Sequence, residues 1–251
     1  MVQLLHRTDN MPLAVNLLGH LVDYEGITSV LNRWETEKTS LLSVNTDRTS
    51  SLDVSIFISL SSPRLVSSPN TQKLLSILSI LPEGLSDAQL LQSNLPIPDL
   101  MGCKATLLRT ALAYYDEGRH LKSLVPIREY VQQNHPPSLV LVAPLQNYIH
   151  SQLRLFKQYG GTDQMLEIHK VLTANSGNIQ SVLSHGLNSK NIEIEDTIEC
   201  TISFCNFKHS IGLGRPALMD TVSSILDNIK NPKLHVRFIA DTAGKALSCS
   251  V

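Results

Sequence analysis

Apolar residues recur at three-to-four-residue spacing along most of the chain, and that period predicts amphipathic helices. Leu13, Leu17, Leu18, Leu21 and Val22 mark one helix, with Pro12 in its opening turn and Asn10 as its N-cap. A second starts around Gly26-Ile27-Thr28 and buries Val30, Leu31 and Trp34, leaving Arg33, Glu35, Glu37 and Lys38 more exposed. Residues 52–60 carry two periods at once. Leu52, Val54, Ile56, Ile58 and Leu60 alternate as in a strand, while Leu52, Ile56 and Leu60 also fit a helix; periodicity alone favours the strand.

Ser61-Ser62-Pro63 through Ser67-Ser68-Pro69-Asn70 punctuates the chain. Leu74, Leu75, Ile77, Leu78, Ile80 and Leu81 then form a buried helix ended by Pro82-Glu83-Gly84. Ser86 with Gln89 three residues on reads as a capping box opening a helix through Leu90 and Leu91. Leu107, Leu108, Ala111 and Leu112 give a third, starting shortly after Gly102. Residues 112–115 and 120–125 flank Asp116-Glu117-Gly118-Arg119 as a hairpin. Three helices and a two-stranded wing describe a winged helix, with 126–131 as its terminal helix. Pro136-Pro137-Ser138 ends that segment. Beyond it, stripes at Leu145, Ile149, Leu153 and Phe156, at Met165, Ile168, Val171 and Leu172, and at Ile179, Val182, Leu183 and Leu187 predict helical hairpins. Thr197 to Phe207 and Ala217 to Ile229 give two more helices, and a further one beginning around Leu234 is cut short at Val251. The expected fold is mainly α: a helical subdomain over 1–62, a winged helix with a small β-hairpin over 63–135, and solenoid-like helical hairpins over 139–251.

Composition agrees with that picture. Apolar residues at 42% against 17% charged suffice for cores, and 5% aromatics with 12 Gly and 12 Pro favour helices joined by turns. A net charge of −1 without a dense basic patch argues against nucleic acid and membrane surfaces as partners. No apolar run approaches the ~18 residues of a membrane span, and the N-terminus lacks the order of a signal peptide, so a cytoplasmic protein is expected.

Candidate chemistry is thin. Cys103, Cys200, Cys205 and Cys249 read as reduced, mostly buried thiols. Cys200, Cys205 and His209 do not make a metal site, because two residues five apart on a helix lie about 140° apart around its axis. Gly212-Leu213-Gly214-Arg215 lacks a following Lys-Ser/Thr and reads as a turn between helices. Glu193, Glu195, Asp196 and Glu199 suit the exposed first turn of a helix. Asp116, Glu117 and Glu129 make no acid/base pair, and the nine histidines no triad spacing. No catalytic residue is expected.

Asn10-Met11-Pro12-Leu13-Ala14-Val15-Asn16-Leu17-Leu18 resembles the Gly-Leu-Pro-Leu-Ala motif of NB-ARC domains in STAND-class NTPases, found in plant resistance proteins and apoptotic adaptors. The fungal, mushroom-type members are more similar still. Trp34-Glu35-Thr36-Glu37-Lys38, the run 78–86 and the run 124–131 resemble segments of that group, and residues 177–183 resemble the start of the helical region after the ATPase. The resemblance implies an ARC-like subdomain over 1–62, a winged helix over 63–135 and tetratricopeptide-like helices over 139–251. It also implies a helix, not a strand, at 52–60. Pro12 would pack on the nucleotide base, with Met11 and Leu13 as apolar neighbours. In the intact family the winged helix holds ADP and the closed state, and ATP exchange rotates the lobes and permits oligomerisation. This chain has no Gly-x-x-x-x-Gly-Lys-Ser/Thr, so the resemblance implies no cofactor of its own and at most residual ADP or ATP contact. Where the family carries Met-His-Asp the chain reads Ser123-Leu124-Val125, with His120 three residues early.

The resulting expectation is a non-catalytic regulatory and protein-interaction module, with protein partners and self-association through its helical region. A winged-helix DNA-binding regulator is the alternative, resting on Lys104, Arg109 and Arg119, although Glu117 shares the wing. ATP hydrolysis would require a P-loop from another chain.

Overall fold

The computed structural model describes residues 2–44, 51–159, 164–188, 194–214, 217–227, 229 and 231–246. Helix α1 (Val2–Arg7) leads into α2 (Pro12–Glu25), α3 (Ile27–Val44), α4 (Ser51–Leu60) and the single turn α5 (Pro63–Val66). Proline opens both α2 and α5, where its missing N–H would have no intrahelical partner and its fixed φ suits the helix. The N-cap of α2 is Met11, not Asn10: Asn10 lies in the left-handed region at φ 56° and Met11 is extended, with no side-chain cap. Leu18 and Leu21 of α2, Val30 and Trp34 of α3, and Val54 and Ile58 of α4 form one apolar cluster.

Residues 52–60 are helical. Val54, Ser55, Ile56, Ile58, Ser59 and Leu60 are all buried, so α4 has no solvent face and its apolar positions need not follow the helical period. Its serines tolerate burial because Ser55 and Ser59 donate to the carbonyls of Ser51 and Ser55, at 2.7 and 2.8 Å. Arg33, expected among the more exposed positions, is half-buried. Its guanidinium donates twice to Glu25, at 2.9 and 2.8 Å, and to the Ile58 carbonyl and the Ser61 hydroxyl at 2.9 Å each. One side chain thus ties α2 and α3 to the end of α4.

The winged-helix segment runs α6 (Pro69–Ser79), β1 (Leu85–Ser86), α7 (Asp87–Gln92), α8 (Leu100–Arg109), β2 (Tyr114–Tyr115), β3 (His120–Lys122) and α9 (Val125–Asn134). The wing has three strands where two were expected. They lie in the order β1-β3-β2, antiparallel, with Leu85 opposite Leu121 and Tyr115 also opposite Leu121. Ser86 both pairs with His120 and closes the capping box: its amide donates to Gln89 Oε1 at 2.8 Å, and the Gln89 amide to its hydroxyl at 3.3 Å. Helix α8 begins before Gly102, capped by Asp99, and ends at Arg109. Ala111, expected inside it, sits at φ 55° and cannot continue the helix. At the end of α6, the Ser79 carbonyl accepts from Arg128 Nε and Gln132 Nε2 of α9, at 3.3 and 2.6 Å.

The remaining helices are α10 (Leu139–Gln158), α11 (Met165–Ala174), α12 (Ser176–Asn188), α13 (Ile194–Ser210), α14 (Leu218–Leu226) and α15 (Pro232–Ala246). Helix α14 stops at Leu226, short of the expected Ile229. Two compact units result: Met1–Leu90 with Pro96–Leu141, and Leu91–Leu95 with Val142–Val251. In the second unit, α13 packs against α12, α14 and α15, and α12 also meets α14. Contact with the next helix and the next but one is the pattern of stacked helical hairpins. Phe156, His169, Phe204 and Phe207 make an aromatic cluster from α10, α11 and α13, with centroids 5.5–6.2 Å apart along its contacts. Helix α13 ends in a Schellman turn: Gly212 at φ 77° and Leu213 donate to the carbonyls of His209 and Lys208, at 3.0 and 2.9 Å. The expected helix-to-helix turn therefore begins there, while Arg215 lies outside the described residues.

Candidate functional site

Met11, Pro12 and Leu13 form one turn at the junction of α1 and α2. Asp9 and Asn10 reverse the chain with φ of 50° and 56°, and the Asn10 and Met11 amides donate to the Leu5 and Thr8 carbonyls at 3.1 and 2.9 Å. Met11 and Pro12 are exposed, Leu13 is half-buried and Ala14 is buried, so the turn offers a small apolar edge anchored from beneath. Its charged neighbours in sequence are engaged: Arg7 pairs with Glu35, and Asp9 accepts a hydrogen bond from Ser51. The edge could meet a flat ring by contact. It carries no glycine loop of backbone amides to cradle a phosphate.

The third helix and wing of the winged segment hold a second group. Asp87 at the start of α7 accepts from Lys104 of α8 at 3.0 Å and from the Tyr115 hydroxyl of β2 at 3.1 Å. The Lys104 ammonium also lies 5.6 Å from the centroid of the Tyr115 ring. The lysine, and then the phenol, hold the Asp87 carboxyl below its ordinary range, and Tyr115 and Asp87 hold the lysine above its own. On the wing, Asp116 accepts from Lys122 at 2.8 Å and from the His120 amide at 2.8 Å, and these bring its carboxyl down to about 2. Arg109 turns back to donate to the Ala105 carbonyl of its own helix at 3.2 Å, and Arg119 is exposed at the wing tip. Lys104 and Lys122 are thus each paired with a carboxylate, while among the described residues Arg109 and Arg119 are not.

At the position likened to Met-His-Asp, the buried Ser123 hydroxyl donates to the Leu112 carbonyl at 2.7 Å, while Leu124 is exposed. His120 Nδ1 lies 3.3 Å from Asp116. Both residues complete the wing. Cys200 and Cys205 are buried and His209 is exposed; burial pushes the Cys200 thiol up to about 12, which keeps it protonated and unreactive near neutrality. Among the described residues no group of three or more His, Cys, Asp and Glu is placed to hold a metal ion. Glu195, Asp196 and Glu199 line the start of α13 but are tied down: Asp196 pairs with Arg154 at 2.6 Å, Glu199 with Arg237, and Glu195 accepts from Asn231 at 2.7 Å.

Sequence reasoning missed the Asp87–Lys104–Tyr115 group, because its members lie on three elements. The buried imidazole of His150 and the half-buried one of His169, whose buried Nε2 atoms have no hydrogen-bond partner among the described residues, were also missed; their one signal was position among apolar residues of α10 and α11. No protein-family model matches the chain, and neither a curated protein nor a solved structure matches it. No helix among the described residues is long and apolar enough to cross a membrane.

Proposed function

We infer that the protein is a non-catalytic regulatory and protein-interaction module of the kind that follows the nucleotide-binding sheet in STAND-type NTPases, acting in the cytoplasm. The observation that carries this reading is the charge pairing on the winged segment. Of the three cations a DNA reader would use, Lys104 is held by Asp87, and Lys122 on the same wing is held by Asp116, which weakens the attraction for phosphate and leaves it to Arg109 and Arg119. The helical layer bearing Met11, Pro12 and Leu13 belongs to the same compact unit, which supports reading both as parts of one switch element. Partners are other proteins, met through the helical hairpins, and a second copy of the chain.

The test is calorimetry with ADP and ATP on the purified protein and its Pro12→Ala variant, alongside assays of phosphate release and duplex-DNA retention. Neither phosphate release nor salt-sensitive DNA retention is expected. Steady-state ATP turnover would overturn the non-catalytic reading, and DNA retention that falls steeply with salt would favour the DNA-binding alternative. Micromolar ADP binding lost in Pro12→Ala gives the Met11–Leu13 turn a nucleotide role; absence of binding leaves an interaction module alone.

A further inference from the structure

Between α4, α5, α6 and α9 the first unit contains a half-open cavity of about 250 Å³, lined by Phe57, Leu60, Ser61, Val66, Gln72, Leu75, Val131 and His135. Leu60, Leu75 and Val131 are buried and with Phe57 give it an apolar floor, while Val66, Gln72 and His135 are exposed at its rim. The Ser61 hydroxyl is occupied by the Phe57 carbonyl and Arg33. The Gln72 amide and His135 imidazole make no hydrogen bond to the described residues, so two polar groups stand at the mouth of an apolar space.

We propose that this cavity binds a small amphiphile: an apolar body seated against Phe57, Leu60, Leu75 and Val131, and one hydrogen-bonding head meeting Gln72 and His135. An apolar cavity of about 150 Å³ takes benzene, so this space suits a substituted ring or short alkyl chain of about eight to ten non-hydrogen atoms. Apolar pockets with a few placed polar groups are the common form of small-molecule sites, and the polar groups orient the ligand while apolar burial supplies affinity. A ligand here would touch α4 and α5 on one side and α6 and α9 on the other, and so would stabilise the packing of the helical layer on the winged segment. The inference stands apart from the Met11–Leu13 turn, which does not line the cavity.

The experiment titrates p-cresol into the full chain, followed by calorimetry and by NMR of labelled protein. Saturable binding is expected with a Kd of about 0.1–1 mM, in the range such small ligands reach. Toluene, lacking the hydroxyl, should bind about tenfold more weakly if the head is recognised. Val66→Trp and Gln72→Trp, both at exposed rim positions, place an indole over the mouth and should each weaken p-cresol at least about tenfold, with thermal melts showing which variants are folded. No saturable binding, or binding unchanged in a folded rim variant, overturns the proposal. So does tighter binding of a short phenylalanine-containing peptide than of p-cresol, which would make the cavity an anchor point for a protein partner instead.

Discussion

Replacing glycine by alanine inside a helix ordinarily stabilises it by roughly 1 kcal/mol, yet at Gly102 that gain should vanish. Asp99, itself left-handed at φ 50°, accepts from the Gly102 amide at 3.2 Å, and a Cβ on Gly102 would sit 2.0 Å from the Asp99 carboxylate. Gly102→Ala therefore displaces the cap, whose loss of about 1 kcal/mol offsets the helical gain and leaves a net change near zero, while in an Asp99→Ala background the same change should stabilise by roughly 1 kcal/mol. Urea unfolding of the four proteins measures this, and equal effects in both backgrounds would refute it. His150 supplies a second residue-scale effect. Burial lowers its pKa to about 4, with Asp196 opposing and Arg154 reinforcing, and burial lowers His185 as well. Unfolded His150 takes up a proton below its ordinary 6.5, whereas the folded form resists until about 4. The unfolded state thus binds more protons between these values, and stability present above pH 6.5 is lost as pH falls toward 4, by up to roughly 3 kcal/mol. His150→Phe should flatten that decline in denaturation series run at pH 7.5 and 5, and an unchanged slope would remove His150 as its cause.

At the scale of elements, what the sequence made legible was local. Pro12 at the start of α2 and the Ser86–Gln89 capping box are formed by residues within four positions of each other, and both were readable. Strand β1 was hidden because its two residues run directly into α7, with Ser86 also serving in the capping box, and a two-residue strand has no period to detect. The alternation in α4 misled because its buried serines are satisfied within the helix, so polarity there did not mark solvent. Arg33 was misplaced for a different reason: two of its acceptors lie 25 and 28 positions away. Its partner Glu25 keeps only 8% of its side chain exposed, so removing the guanidinium strands a carboxylate in the core of the three-helix layer. Arg33→Met should destabilise by about 3 kcal/mol, and Glu25→Gln with Arg33→Met by less than Arg33→Met alone. Additive losses in chemical denaturation would show that the pair acts separately.

For the whole molecule, the question is whether the cations on the third helix and wing of the winged segment can serve a DNA reader. The Met11–Leu13 turn could be located from sequence, but the pairing of Lys104 could not, since Asp87 is 17 positions away on another helix and Tyr115 comes from strand β2. Net charge sets the rest: at −1 the molecule has no long-range pull on a polyanion, and each lysine held by a carboxylate contributes little to counterion release. Asp87→Asn with Asp116→Asn removes two negative charges, taking the formal charge from −1 to +1 and freeing Lys104 and Lys122 together. The double variant should elute from heparin at higher salt than the parent, and its affinity for duplex DNA should fall with salt at a slope steeper by up to about 2. The parent should show almost no slope. If both proteins instead bind DNA alike, the two carboxylates are not what suppresses binding, and the interaction-module reading loses the observation that carries it.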